Sequence, residues 1–212
     1  MNELLILANS IKKSQRCIAG KRVDTKEWVR PVTSAEGDEI SAYRCYSMDL
    51  SKKRIEVKPM QRLSIELGHA VPLLNQPENY LFSAQPWQYR GSLSAEQLEP
   101  FLDHPESLWG SGPRIDYKII QQGLIHIEQS LLLVRVEKLQ LSQHKSIDGR
   151  NKRRANFLYN GTWYNLPVTD PDFEEQIKHP NHHNILCISL GEKFDFYRNG
   201  DFCCFKIVAS IL

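Results

Sequence analysis

Hydrophobic residues recur along this chain in short runs and in alternation with polar residues, the two patterns that mark β-strands. In the first half they predict strands at residues 4–8, 17–23, 27–32 and 54–67. The second and third of these are separated by Asp24, Thr25 and Lys26, a composition that suits a hairpin turn. Residues 36–54 fit one helix or a loop equally well. The first half is therefore predicted to be mostly strand.

The best helix signal lies at residues 92–105, where serines precede acidic residues and an apolar side. Two prolines and two glycines follow within residues 104–114, a composition typical of a domain boundary. We therefore predict an N-terminal domain over residues 1–110, which includes a connector and this helix. The C-terminal domain is predicted over residues 111–212.

Strand signals resume in the second half. Residues 153–168 are predicted to form a hairpin, because Asn160–Gly161 is the dipeptide that a tight primed turn prefers. A short helix capped by Asp170 is predicted before the last two strands. The remaining strands are predicted at residues 130–141, 184–194 and 202–212. Each half thus holds four or five strands and one short helix, as in an OB-fold barrel. The predicted fold is mainly β with short helices, arranged as two tandem OB-type small barrels, although one larger mixed sheet also fits the pattern.

The composition describes a globular protein that can bury a core. The chain has 212 residues, of which 41% are hydrophobic and 25% charged, and the formal net charge is +2. Disorder would require fewer apolar residues and a larger net charge. No apolar run approaches the ~20 residues of a membrane span, so we expect no membrane partner. The N-terminus lacks an export signal and is expected to be the first strand of a mature, cytoplasmic protein.

The cysteine content supports the same compartment. There are five cysteines, an odd number, and no pair is spaced as C-x-x-C. A disulfide-stapled secreted domain would be smaller and would normally have an even count. A thiolate zinc site would favour the missing C-x-x-C spacing.

Several short segments, in order along almost the whole chain, carry a resemblance to a known family. They are RCIAGKRVDTKEWVRPV, PENYLF, SLW, VTDP and ISLGEKF with FCCFKIVASIL. Together they resemble the bacterial dual OB-domain family. The resemblance implies two OB-type barrels and a role in handling nucleic acid in genome-defence, repair or mobile-element contexts. It brings no catalytic residue. One departure is Phe202–Cys203–Cys204–Phe205, where the family has a Gly-Tyr-Cys-Tyr-like run, and this change concerns strand packing.

Basic residues are concentrated in two segments despite the near-neutral total. Residues 11–30 hold seven Lys or Arg and two acids, and residues 144–160 hold five and one. Strands rich in cations are natural tracks for phosphates, and exposed aromatic rings stack on bases. A solvated hairpin with a core tryptophan, and a core-filling aromatic strand, are the structural alternatives. The predicted nucleic-acid contacts are Arg16, Lys21, Arg22, Trp28, Arg30, Arg150, Lys152, Arg153, Arg154 and Trp163.

Enzymatic alternatives stay open at three places. Cys17 lies among basic residues that would favour a reactive thiolate, as a transferase needs. The acids near Asp170 would suit a metal-dependent nuclease, although a helix N-terminus also explains them. A histidine-rich turn has spacing compatible with zinc, at His179, His182, His183 and Cys187.

The sequence favours a non-catalytic module that binds nucleic acid, with single-stranded or distorted DNA or RNA as the expected ligand. We assign no catalytic residue, no metal and no cofactor. The alternative is a subunit that docks a protein partner in a larger complex, with the basic loops contacting an acidic surface. The salt dependence of binding separates these two functions, because the logarithm of the affinity for phosphates falls linearly with the logarithm of the salt concentration.

Overall fold

The protein folds into two compact units, Met1–Phe101 and Leu102–Leu212. The structure is a computed structural model that describes residues 2–12, 15–83, 85–146, 149, 151–179, 184–196 and 198–212. The predicted domain boundary lies later, between residues 110 and 111. It falls in a segment whose Leu108 is buried in the core of the second unit.

The first unit is a curled sheet around one apolar core. Strand β1 is central, because it pairs antiparallel with both β2 and β7, and β7 pairs in turn with β10. Leu4, Ile6, Leu63, Ile65 and Trp87 are buried in this core. Short 3₁₀ helices span Ala42–Arg44 and Ala95–Phe101. The strands are β1 (Asn2–Lys12), β2 (Gln15–Arg22), β3 (Trp28–Val32), β4 (Ile40–Ser41), β5 (Tyr46–Met48), β6 (Arg54–Glu56), β7 (Gln61–Ile65), β8 (Leu67–Ala70), β9 (Asn79–Phe82) and β10 (Trp87–Ser92).

The long connection between β7 and β10 packs back on the same unit. It contains β8 and β9, which pair with each other. Strand β9 also pairs parallel with β3, so that Tyr80 lies opposite Pro31. Every residue of β3 is buried. We call residues 67–82 the covering segment, because they occupy one edge of β3.

The second unit is a barrel, and a small helix, α2, lies between its strands β15 and β16. In one sheet β12 pairs with β16, and β16 pairs with β17. In the other sheet β13 pairs with β14, and β14 pairs with β15. A parallel bridge between Val168 and Val208 joins the β15 end to β17. The elements are β11 (Arg114–Asp116), α1 (Tyr117–Gln121), β12 (Leu131–Arg135), β13 (Glu137–Lys145), β14 (Asn151–Tyr159), β15 (Thr162–Pro167), α2 (Phe173–Gln176), β16 (Ile185–Asp195) and β17 (Phe202–Ile211).

The structure shows which elements form in the ambiguous region, residues 36–54, and at the strongest helix signal of the first half, residues 92–105. Residues 36–54 contain β4, a 3₁₀ helix and β5. The predicted helix at 92–105 is a 3₁₀ helix over Ala95–Phe101 that includes Pro100. Proline has no N–H to donate to a helical hydrogen bond, and this weakens an α-helix at that position.

The turn and short helix predicted for the second half also form, with one correction. Asn160 and Gly161 both have positive φ, 45° and 74°, as a tight primed turn requires. Helix α2 is capped at Asp172, not at Asp170. The Asp170 carboxylate instead accepts hydrogen bonds from the backbone N–H groups of Asp172 and Ile211, each at 2.8 Å.

The predicted fold class is confirmed, because the chain is mainly β with short helices and its curled sheets are those of OB-type barrels. In the second unit β12 with β13, then β14, β15, β16 and β17 supply the five strands of such a barrel. In the described parts of the chain, no helix has both the length and the apolar content needed to cross a bilayer.

Candidate nucleic-acid interface

The N-terminal basic segment is held by partners inside the first unit. Lys21 is only 3% exposed, and its ammonium group donates to the carbonyl oxygen of Phe101 at 2.8 Å. The same nitrogen lies 5.1 Å from the centre of the Trp28 ring. Trp28 is itself 5% exposed, so its ring is part of the core. Both side chains are thus buried in the first unit.

The covering segment supplies the partners of the neighbouring arginines. Arg30 and Glu78 form a buried ion pair, with 3.2 Å between Nη2 and Oε1. The guanidinium carbon of Arg22 lies 5.5 Å from the centre of the Tyr80 ring. The covering segment thus neutralises one of these cations and stacks on the other.

Arg16 completes this set with a partner on β6. Its guanidinium lies 3.2 Å from the carboxylate of Glu56, and only 19% of its side chain is exposed. All five predicted contacts of the first half therefore have partners within their own unit. Whether they also contact a ligand stays a prediction.

The second basic cluster lies on strand β14, where alternation divides it between two faces. Residues directly opposite each other in antiparallel strands share a face of the sheet. On β14 the inner face holds Ala155 and Phe157, both fully buried. The outer face holds the even-numbered residues and their cross-strand neighbours on β13 and β15. We call this outer face the candidate interface.

The candidate interface has four rows across its strands. The first two contain cations and the third is formed by amides, with Gln140, Asn156 and Asn165 directly opposite one another. The fourth ends in Trp163, whose side chain is 50% exposed. From one end to the other the rows are His144 and Lys152, then Ser142, Arg154 and Pro167, then the three amides, then Glu137, Leu158 and Trp163.

Arg154 lies along this face because Asn165 holds it. Its Nε donates to the Asn165 Oδ1 at 2.7 Å, and Nη2 donates to the Asn165 backbone oxygen. Partial burial lowers the pKa of Arg154 from the usual arginine value. Lys152, in the next row, is exposed and has no ion pair among the described residues. The two cations thus offer one fixed and one adaptable charge.

Arg153 belongs to a different environment. Its Nη1 donates to the backbone oxygen of Asp170 at 3.1 Å, and its Nη2 lies 3.0 Å from the carboxylate of Glu174. The guanidinium also lies 5.4 Å from the centre of the Phe173 ring. Arg153 therefore ties β14 to helix α2, and the structure does not place it with Lys152 and Arg154. Arg150 lies outside the described residues.

The polar residues that complete the interface were not among the contacts predicted from the sequence. His144, Gln140, Asn156 and Asn165 are dispersed over three strands, and none stands out by composition. For Asn156 and Asn165 the signal is the two-residue period counted from Lys152 and Arg154 across the Asn160–Gly161 hairpin, and for Gln140 and His144 it is the same period in the preceding strand.

Burial shifts the pKa of several thiols and of one of the acids considered for a nuclease site. It raises the pKa of Cys45 and of Cys204 to about 12, so that both thiols stay protonated. It also raises the pKa of Asp170, against the hydrogen bonds from Gln176 and two backbone N–H groups that favour its charged form. Cys17 is partly buried on β2. Asp170 is therefore a structural junction between α2 and the end of β17.

Metal ligands do not converge in the described part of the chain, where no three His, Cys, Asp or Glu side chains form a group able to hold an ion. His179 is exposed after helix α2, and Cys187 is buried in β16. His182 and His183 of the suggested zinc turn lie outside the described residues.

A cleft of about 550 Å³ opens on the first unit, beside the turn that joins β5 to β6. Its charged lining is balanced, with Lys52 and Arg90 facing Asp49 and Glu66. Such a lining offers a polyanion no net attraction. The candidate interface of the second unit has the more suitable chemistry.

Comparison with known proteins agrees with this architecture. The family described as the dual OB-containing domain matches residues 2–211, so the chain belongs to that family. A search of curated proteins found no match. OB barrels bind oligonucleotides and oligosaccharides on the face of their second and third strands and on the flanking loops. In the second unit these strands are β14 and β15, the strands that carry Arg154 and Trp163. At this level the fold suggests a module of the nucleic-acid-binding type.

Proposed function

We propose that the protein binds nucleic acid along the outer face of β13, β14 and β15. The observation that carries this proposal is the order of the rows, with cations at one end, amides in the middle and an exposed indole at the other. Phosphates would contact Lys152 and Arg154, base edges would meet the amides, and a base would stack on Trp163. No chemistry on the ligand is part of the proposal.

The length of the candidate interface suits a short single strand of nucleic acid. Lys152 and Leu158 are six residues apart on β14, which corresponds to about 20 Å at the rise of a β-strand. OB barrels cover about 4–16 nucleotides of single strand. The bacterial defence, repair or mobile-element setting implied by the family resemblance belongs to this proposal, because strands are exposed during such processes.

The test is fluorescence anisotropy with labelled single-stranded DNA, single-stranded RNA and duplex DNA over a series of salt concentrations. The variant is Lys152→Gln/Arg154→Gln. For a single strand, each phosphate contact contributes about 0.7 to the slope of log affinity against log salt. We therefore expect the double variant to reduce the slope by about 1.4 and to weaken binding at low salt.

The matched control is Lys53→Gln/Arg90→Gln, which removes the same charge from exposed positions of the first unit. It should leave the slope unchanged. Equal losses in both double variants would reduce the effect to net charge and contradict a specific face. Absence of binding to all three ligands at low salt would reject nucleic-acid binding and favour the protein-docking alternative.

A further inference from the structure

Aromatic rings are exposed at the end of the β16–β17 hairpin. Such large apolar side chains are normally buried in a folded protein. The exposed fractions are 51% for Phe194 and 50% for Phe196. Phe202, at the start of β17, is 40% exposed. No contact in the proposed function uses these rings, so their exposure calls for a separate explanation.

Two of the rings are held in place by a third ring and by a guanidinium. The ring centre of Phe205 lies 6.4 Å from that of Phe194 and 5.5 Å from that of Phe196, and both pairs meet edge to face. Arg114 lies directly opposite Phe205 in the β11–β17 ladder. Its guanidinium carbon is 5.6 Å from the Phe196 ring centre and 5.7 Å from that of Phe205. We call these four residues the aromatic platform.

The aromatic platform faces outward at the same end of the barrel as Trp163. Cys204, Lys206 and Val208 are fully buried, so Phe205 points to the opposite, outer side of β17. Because the Val168–Val208 bridge is parallel, β15 and β17 start toward the same end of the barrel. Trp163 lies at the start of β15. The platform and Trp163 therefore both lie on the outer side of the second unit, toward the same end of its barrel.

Two acids near the platform, Asp195 and Asp201, are engaged in the hairpin turn, and Asp116, opposite Cys203, accepts a hydrogen bond from the backbone N–H of Lys118. The Asp195 carboxylate accepts hydrogen bonds from the backbone N–H groups of Asn199 and Gly200, at 3.2 and 3.0 Å. Asp201 accepts from the side chain of Asn199 at 2.7 Å. The platform consequently offers ring surface and one guanidinium, a combination that fits a flat, weakly hydrated group better than a phosphate.

We propose that Phe194 and Phe196, supported by Phe205 and Arg114, stack unpaired nucleobases of the strand that the candidate interface binds. This inference rests on the proposed function and specifies its ligand as single-stranded. In a duplex the base faces are covered by neighbouring base pairs, whereas in a single strand they are accessible to a ring. Stacking on aromatic side chains depends little on sequence, because every base has a π-face.

The experiment compares two labelled strands of about 12 nucleotides, within the range of one OB barrel. One is a thymidine oligomer and the other is an abasic strand with the same phosphates. We expect the unmodified protein to bind the thymidine strand at least about 25-fold more tightly, at about 5-fold or more for each of the two rings. The variant Phe194→Ala/Phe196→Ala should reduce this preference by about 25-fold or more, leaving only the part due to Trp163 and the amides, and should keep its affinity for the abasic strand.

Tyr43→Ala is the matched control, because it removes a ring that is 73% exposed in the first unit. It should leave the preference intact. If the alanine variant fails to fold, Phe194→Leu/Phe196→Leu preserves apolar volume without a π-face and is expected to give the same loss.

The outcomes separate the stacking inference from the proposed function. A double variant that keeps the preference, or that weakens both strands equally, overturns base stacking while salt-dependent binding at Lys152 and Arg154 stands. An unmodified protein that binds the two strands equally also overturns it. If the unmodified protein binds neither strand, the proposed function fails and the stacking inference fails with it.

Discussion

At the scale of single residues, the role of a cation here depends on its partner. Arg30 and Lys152 both come from segments rich in lysine and arginine. Arg30 is buried against Glu78, with 3.2 Å between the charged groups, whereas Lys152 is exposed. A buried charge must be paired, because an isolated one is strongly destabilising. Local charge density therefore identifies candidates for ligand contact. Burial then distinguishes the paired, buried cations from the exposed ones that are accessible to a ligand.

Lys206 gives a prediction at this scale. It is fully buried in the second unit, its ammonium group donates to the Gly110 carbonyl, and burial lowers its pKa to about 8. Between pH 8 and 10.5 the unfolded chain binds this proton and the folded chain does not. The free energy of unfolding contributed by Lys206 therefore rises with pH across this window.

Urea unfolding at pH 7 and at pH 9.5 tests this prediction against Lys206→Met. On raising the pH, the unmodified protein should gain roughly 2 kcal/mol relative to the variant, at about 1.4 kcal/mol for each pH unit. Parallel pH dependence of the two proteins would show that Lys206 is charged in the folded state throughout this range.

At the scale of elements, β14 separates neighbouring basic residues by function. Lys152→Gln should weaken nucleic-acid binding and leave the free energy of unfolding unchanged, because the side chain is exposed. Arg153→Gln should lower the free energy of unfolding by about 1 kcal/mol, because it loses hydrogen bonds to Asp170 and Glu174. Anisotropy and urea unfolding on both variants measure the two effects. Equal effects of the two substitutions on binding would argue against the division of faces.

The same strand shows how far the sequence determines the site. The β14–β15 hairpin could be predicted because its turn signal is local, at Asn160–Gly161. The face assignment could not, because the predicted hairpin begins at residue 153 and leaves Lys152 outside it, whereas β14 begins at Asn151. Once a strand is assumed there, alternation separates Arg153 from its neighbours.

Pairings over long sequence distances are the other part that sequence reasoning could not supply. Glu78 is 48 residues from Arg30, and Phe101 is 80 residues from Lys21. Neither partner carries a local signal of the contact. The basic character of residues 11–30 was therefore visible in the sequence, while the pairing within the first unit was not.

At the scale of the whole molecule, the two OB-type units differ in what they present. In the first unit the predicted contacts are paired internally, and in the second Lys152, Arg154 and Trp163 share an exposed face. We therefore expect each protein chain to bind one strand of nucleic acid. Native mass spectrometry with a single strand of about 8 nucleotides should give a one-to-one complex at saturation. A complex with two strands would place an additional site outside the candidate interface.

The ion pair between the covering segment and β3 also bears on how this sequence changes over evolutionary time. Replacing Arg30 or Glu78 alone leaves a buried charge without its opposite, and such a change costs about 3–5 kcal/mol. That is a large fraction of the stability of an ordinary domain. The two codons should therefore be replaced together among relatives. By contrast, Lys152 can change alone, and its variation would record changes of ligand.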